Sequence, residues 1–139
     1  MSKYDLIVIW SGPGGYVAAI RASQLGMKVG VVEKAELGGI CLNWGCIPTK
    51  ALLKSANVFE YFKHSKDYGV EAKDFKADLP AMVQRSRDVA ASNSKGIQFL
   101  FRKNKIDHIP GFAKLKKGGK VEVTDDKGKK TDYEAKHII

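Results

Sequence analysis

Between Tyr4 and Glu33 the chain runs through an apolar strand, a glycine-rich turn, a helix, a second apolar strand and an acid, and few folds accept that order. Tyr4–Ile9 is a continuous apolar run, as expected of a strand buried on both faces of a parallel sheet. Trp10-Ser11-Gly12-Pro13-Gly14-Gly15 follows. Tyr16–Leu25 reads as a helix, with Val17, Ile20 and Ala22 available to pack and Gly26 to stop it. Lys28–Val32 is a second strand, and Glu33 closes it 21 residues after Gly12. This is the order of a dinucleotide-binding unit. Glycines let the backbone approach a pyrophosphate, the helix N-terminus favours its charge, and the carboxylate accepts hydrogen bonds from a ribose. Gly12, Pro13, Gly14, Gly15 and Glu33 are therefore candidate binding residues. A tight turn in an ordinary α/β protein would account for the glycines alone.

One position departs from the fingerprint Gly-x-Gly-x-x-Gly. Its first glycine, which makes the tight turn, is Trp10 here. A Trp brings a Cβ and a large indole to a place where bare backbone is wanted. The hydrophobic pattern around it is intact, so the fold is expected to form, while nucleotide affinity is expected to suffer. Trp10→Gly is expected to strengthen dinucleotide binding.

The two cysteines of the chain lie in the next stretch, Leu37–Leu53, within LGGICLNWGCIPTKALL. Cα atoms bridged by a disulfide lie about 4.4–6.8 Å apart. Five steps along a regular helix rise about 7.5 Å, so a bridge between Cys41 and Cys46 needs a wound turn rather than an ideal helix. Gly38, Gly39 and Gly45 permit one, and Pro48 suits the first turn of the helix that follows. The opening of a helix also favours a thiolate. On spacing alone, two buried unpaired cysteines are an equal alternative. A metal site is disfavoured, because two sulfurs without a neighbouring His half fill a tetrahedral shell.

The Gly-Cys-hydrophobic-Pro core, the preceding Cys-Leu-Asn and the following Ile-Pro-Thr-Lys-Ala-Leu-Leu resemble the redox-active disulfide segment of the flavin-dependent pyridine nucleotide-disulfide oxidoreductases. Within that family they look most like the dihydrolipoamide dehydrogenases. The resemblance extends over essentially all 139 residues, as the first part of a longer enzyme. It implies a Cys41–Cys46 disulfide, with Cys46 nearest the flavin and Cys41 exchanging with substrate, and Lys50 beside the flavin ring. It implies that Glu33 holds the adenosine ribose of FAD, that the segment from Lys34 through Gly38, Gly39 and Cys41 wraps the cofactor, and that Gly111 and Ala113 line its adenine end. The family often has glycine where Ala113 stands. The implied reaction oxidises dihydrolipoamide, on the lipoyl carrier domain of a 2-oxoacid dehydrogenase or related complex, with NAD⁺ as acceptor and a homodimer as the working unit. Residues 1–139 would be the N-terminal portion of the FAD-binding domain, without the nicotinamide-binding and dimerisation domains and without turnover alone. A sibling disulfide reductase and a non-catalytic nucleotide-binding module are the alternatives.

The remaining chain supplies the expected architecture, a three-layer Rossmann-like α/β domain with a parallel sheet and a small antiparallel β-meander. A helix continues to about His64, with Leu52, Ala56 and Phe59 read as core and His64 as an exposed helix end. Asp78 caps a long helix to about Asn104, with Val83, Val89, Ala90, Ile97, Leu100 and Phe101 as its apolar stripe. Ser86, Asn93 and Gly96 weaken that stripe, and Arg85, Arg87 and Lys95 are expected to face water. Ile106–Ile109 reads as a third parallel strand, and Phe112–Leu115, Val121–Thr124 and Thr131–Glu134 as the meander. His108 and His137 are read as structural. The resemblance implies that His137–Ile139 begins another sheet strand. The formal charge is +9. Its Lys-rich runs are read as solvated faces, because no nucleic-acid motif accompanies them. No apolar run approaches the roughly 18 residues of a membrane span, and the N-terminus reads as a strand rather than a signal peptide, which suggests a cytoplasmic setting.

Overall fold

The computed structural model describes residues 2–139. Strand β1 (Ser2–Ile9) leads through helix α1 (Pro13–Gln24) to strand β2 (Val29–Glu33). Two helices follow around the cysteines, α2 (Gly39–Trp44) and α3 (Cys46–Lys63), then a short 3₁₀ turn (Ser65–Tyr68) and the long helix α4 (Leu79–Lys103). Four strands complete the chain: β3 (Asp107–Pro110), β4 (Phe112–Lys116), β5 (Lys120–Thr124) and β6 (Lys130–Ile138).

All six strands form one sheet in the order β3-β2-β1-β6-β5-β4. β3, β2, β1 and β6 are mutually parallel, whereas β4, β5 and the first half of β6 pair antiparallel. The meander is therefore hydrogen-bonded into the parallel sheet rather than set apart from it. The stretch read as two strands, Thr131–Glu134 and His137 onward, is one strand that changes partner. Its first half pairs with β5, and from Tyr133 onward it pairs with β1.

The outer strands β3 and β4 are separated by a single residue, Gly111. Two opposite edges joined so tightly can coexist only if the sheet rolls over on itself. Gly111 makes the corner with φ 144°, and a Cβ there would lie 2.5 Å from the Thr124 carbonyl oxygen. The roll lays Val121 and Val123 of β5 over Tyr4, Ile7, Val32 and Ile109, which makes one core. On the opposite face Leu6, Val8, Val29 and Val31 meet Ala19 and Ala22 of α1 and Ile97 and Phe101 of α4. Consecutive β1 residues thus alternate between two apolar layers, and each buried Val or Leu contributes about 1.5–3 kcal/mol. The three layers are the two helices, the parallel strands and the folded-back meander.

The long helix departs from its expected stripe. Ser86, at 1% exposure, and Ser94 are buried with Ala90, Ile97 and Phe101, whereas Val83 and Leu100 are exposed. The small side chains lie where α4 comes close to its neighbours, and each Ser satisfies its hydroxyl on a carbonyl, of Val83 and of Leu37 respectively. Arg85 and Arg87 are exposed, as expected, and each also reaches a neighbouring helix. Arg85 donates to the Ala51 carbonyl of α3 at 2.8 Å, and Arg87 to the Asn43 carbonyl of α2 at 3.3 Å. Leu52 and Ala56 are not core; both are exposed, and Phe59 is half-buried. Only Pro48 and Ala51 of α3 are buried. Phe59 and Phe62 instead gather around Phe75. Asp78 caps α4 as expected, accepting from the Ala81 N–H. No helix among the described residues is long and apolar enough to cross a membrane.

Tyr4 donates its hydroxyl to the Asp107 carboxylate at 3.0 Å, linking β1 to β3 across β2. Burial first, and then this bond and the charge of Asp107, push the phenol above its ordinary range. A raised native pKa contributes stability that is complete below the unfolded value, roughly 10, and is lost as pH rises beyond it. Tyr4→Phe should lower urea stability at neutral pH by about 1 kcal/mol. It should also flatten the alkaline decline that the parent shows above about pH 10, as followed by circular dichroism.

Candidate functional site

The site begins where β1 stops. Trp10 takes φ 76°, a left-handed conformation that costs a non-glycine residue roughly 1–2 kcal/mol. Its N–H donates to the Val32 carbonyl at 2.9 Å, so the turn remains tied to β2. The fold meets the missing glycine by straining the tryptophan. Gly15 is more strictly required, because a Cβ there would collide with the Trp10 carbonyl. Gly12 and Gly14 differ: a Cβ on either would meet nothing within 4 Å. Helix α1 opens on Gly12 and Pro13 with no side-chain cap, so its first N–H groups face that open space with their partial positive charge.

Glu33 stands beside this turn at the end of β2, only 5% exposed. Its Oε2 accepts from the Ser11 backbone N–H at 3.0 Å and from Ser11 Oγ at 2.8 Å, and its Oε1 accepts from the Ala35 N–H at 3.0 Å. A carboxylate offers about four acceptor positions, so one stays free on Oε1. Ser11 Oγ also accepts from the Gly38 N–H at 3.2 Å. Gly39 completes the junction. A Cβ there would sit 2.8 Å from the Gly12 Cα, and that bareness lets the cysteine segment press directly on the glycine turn.

Cys41 and Cys46 are joined by a disulfide, with Cα atoms 4.8 Å apart. The wound turn that spacing requires is the break between α2 and α3 at Gly45, where φ is −125° and ψ −109°. A Cβ on Gly45 would crowd the Cys41 Cα at 3.2 Å. Cys46 is the first residue of α3 and is exposed, whereas Cys41 is half-buried. Thr49 closes the first turn, its hydroxyl donating to the Gly45 carbonyl at 2.7 Å. The intervening Asn43 is buried and donates to the carbonyls of Leu37 and Gly39 at 3.1 and 3.0 Å. It fixes the path of the loop that carries the disulfide.

The fold brings most of the expected residues together. Gly12, Glu33, Gly38 and Gly39 converge on Ser11, and Gly111 donates its N–H to the Glu33 backbone carbonyl at 2.9 Å. Lys34 lies outside this knot, with its ammonium 5.2 Å from the Trp10 ring centre and 5.8 Å from that of Phe112. Ala113 turns into the second core instead of standing free. Lys50 is exposed on α3 and makes no hydrogen bond or ion pair among the described residues. No cluster of metal-ligating side chains occurs among the described residues. Partial desolvation outweighs the attraction of Glu33 and pulls the His108 pKa down, although the residue is exposed. Sequence reasoning missed Ser11, Asn43 and Ser94. Only Ser11 carried a signal, as a small polar residue directly between a buried strand and the first surviving glycine.

Ser11→Ala removes the hydroxyl donor to a buried carboxylate and the acceptor for Gly38 together. Stability should fall by about 2 kcal/mol, read as a lower urea midpoint with an unchanged slope.

A family profile described as pyridine nucleotide-disulphide oxidoreductase matches residues 4–139. A dihydrolipoyl dehydrogenase of Rhizobium etli is 53% identical over 99% of this chain and 32% of its own length. One from Zymomonas mobilis is 48% identical over 98% of the chain and 29% of its own length. A leghemoglobin reductase of Vigna unguiculata is 46% identical over 97% of the chain and 26% of its own length. The chain thus spans about a third or less of the curated relatives it matches. A glycine turn pressed against a disulfide-bearing helix pair, and a match over nearly every residue, make this chain a member of the pyridine nucleotide-disulphide oxidoreductase family.

Proposed function

We propose that this chain is the N-terminal FAD-binding and disulfide-bearing portion of a dihydrolipoamide dehydrogenase. The observation that carries the reading is the contact of Gly39 on Gly12, which sets the Cys41–Cys46 pair beside a turn suited to a pyrophosphate. The residues fit FAD. Gly12 and Gly14 leave room for close approach, the uncapped start of α1 favours phosphate charge, and Glu33 keeps one acceptor position for a ribose hydroxyl. Lys34, Gly38, Gly39 and Gly111 would complete the cradle. Lys50, one helical turn beyond Cys46, would lie beside the flavin ring.

The chain's own chemistry is thiol exchange. A thiolate of dihydrolipoamide attacks Sγ of Cys41, the Cys41–Cys46 bond breaks, and Cys46 leaves as thiolate. The second substrate thiolate then attacks the substrate sulfur of the mixed disulfide and expels Cys41. The substrate leaves as a cyclic disulfide, and the chain holds the two electrons as a dithiol. The first-turn N–H groups of α3 favour the Cys46 thiolate and so a good leaving group. Bound FAD supplies an acceptor for those two electrons and a route to NAD⁺. The nicotinamide and dimerisation portions would belong to the length of the relatives that this chain does not span. The whole protein would work as a homodimer serving a lipoyl carrier domain in the cytoplasm.

A second reading, a sibling reductase of the same family acting on another substrate, is favoured by the relatives named leghemoglobin reductase. The two separate on substrate. Dihydrolipoamide should convert the Cys41–Cys46 disulfide of this chain to two titratable thiols, whereas Cys46→Ser, which has no disulfide to exchange, should show its single Cys41 thiol before and after treatment. Added FAD should bind in a one-to-one ratio, read from quenched flavin fluorescence. Residues 1–139 alone should form no NADH from dihydrolipoamide and NAD⁺. Absence of both flavin binding and thiol exchange would remove the proposal.

A further inference from the structure

Trp10 directly follows β1 and Phe112 begins β4, just past β3. In the sheet β2 lies between β1 and β3. Yet the two rings touch edge to face, with centres 5.8 Å apart, so the pair bridges the carboxyl end of β2. The Lys34 ammonium, from the residue after Glu33, lies near both rings. An aromatic pair of this kind contributes about 0.5–1.5 kcal/mol and an exposed cation–π contact about 0.5–1. Trp10 is 38% exposed and Phe112 52%, so the cluster is an outer cover rather than core. Glu33, the residue before Lys34 and bonded to Ser11 next to Trp10, is almost wholly screened although one of its acceptor positions is free.

We propose that the Trp10 indole is an internal plug over the nucleoside end of the groove, and that an adenosine diphosphate moiety gains Glu33 only when the indole leaves Phe112. This rests on the nucleotide-binding reading above. A ligand entering from the carboxyl edge of the sheet must break the ring contact and the Lys34 contact before it meets the ribose-binding carboxylate. Affinity is therefore reduced by the free energy that keeps the plug closed, with no change in the residues that hold the phosphates.

Adenosine diphosphate is the probe, titrated calorimetrically into the chain and into Trp10→Gly, Trp10→Asn and Phe112→Ala, all first checked for folding by circular dichroism. Asn tolerates the left-handed backbone of position 10, so it removes the indole without conferring the freedom of glycine. All three variants should bind at least tenfold more tightly than the parent. In Trp44→Phe, where Trp10 is the sole tryptophan, the ligand should shift its emission to the red. Equal affinity across the series, a gain with glycine alone, or binding without an emission change would overturn the plug and leave the nucleotide reading standing. No binding by any folded variant would overturn both.

Discussion

Ser11 is the residue through which the site is assembled. It follows the last residues of β1, is completely buried, and meets the end of β2 through Glu33 and the start of the cysteine segment through Gly38. Burying a carboxylate without partners costs several kcal/mol, and here three N–H or O–H donors offset that cost. Because the same hydroxyl also accepts from Gly38, the residue that satisfies the charge also ties down the start of the cysteine segment. Electrostatics at the end of β2 and the placement of the disulfide are thus one constraint.

The network has a second ring of support outside the residues that chemistry would single out. Asn43 gathers the carbonyls of Leu37 and Gly39, Ser94 reaches Leu37 from α4, and Arg87 holds the Asn43 carbonyl. Carbonyls in an irregular segment have no ladder partners, and buried ones must be met by side chains. The long helix supplies two of these partners, which explains why Ser94 occupies a position that an apolar stripe would fill.

The architecture was legible because it rests on local pattern. The run from Tyr4 to Glu33, the capped start at Asp78 and the period-two segments after Asn104 each point to one element. The grouping of Gly12, Glu33, Gly38 and Gly39 was legible through motif order, and the pairing of Cys41 with Cys46 through resemblance. What escaped was long-range. Nothing local to Lys130–Ile138 shows that one strand changes partners midway, because that depends on β1, more than a hundred residues earlier. Nothing in the α3 pattern shows that Leu52 stays outside, because its burial depends on what lies opposite. The strain at Trp10 was visible as a departure, but its consequence, a ring contact with Phe112, required the roll of the sheet.

That roll has a bearing on how the molecule is made. The first strand pairs with a partner near the other end, Ser2 opposite Tyr133 and Ile7 opposite Ile138. Contacts between such distant positions slow folding and lengthen the exposure of unpaired edges. On the ribosome β1 and β2 can zip together early, but the remaining flank of β1 must wait until β6 has cleared the exit tunnel. During that interval a growing chain would carry an apolar strand with one unpaired edge, the kind of surface on which chains stick to one another.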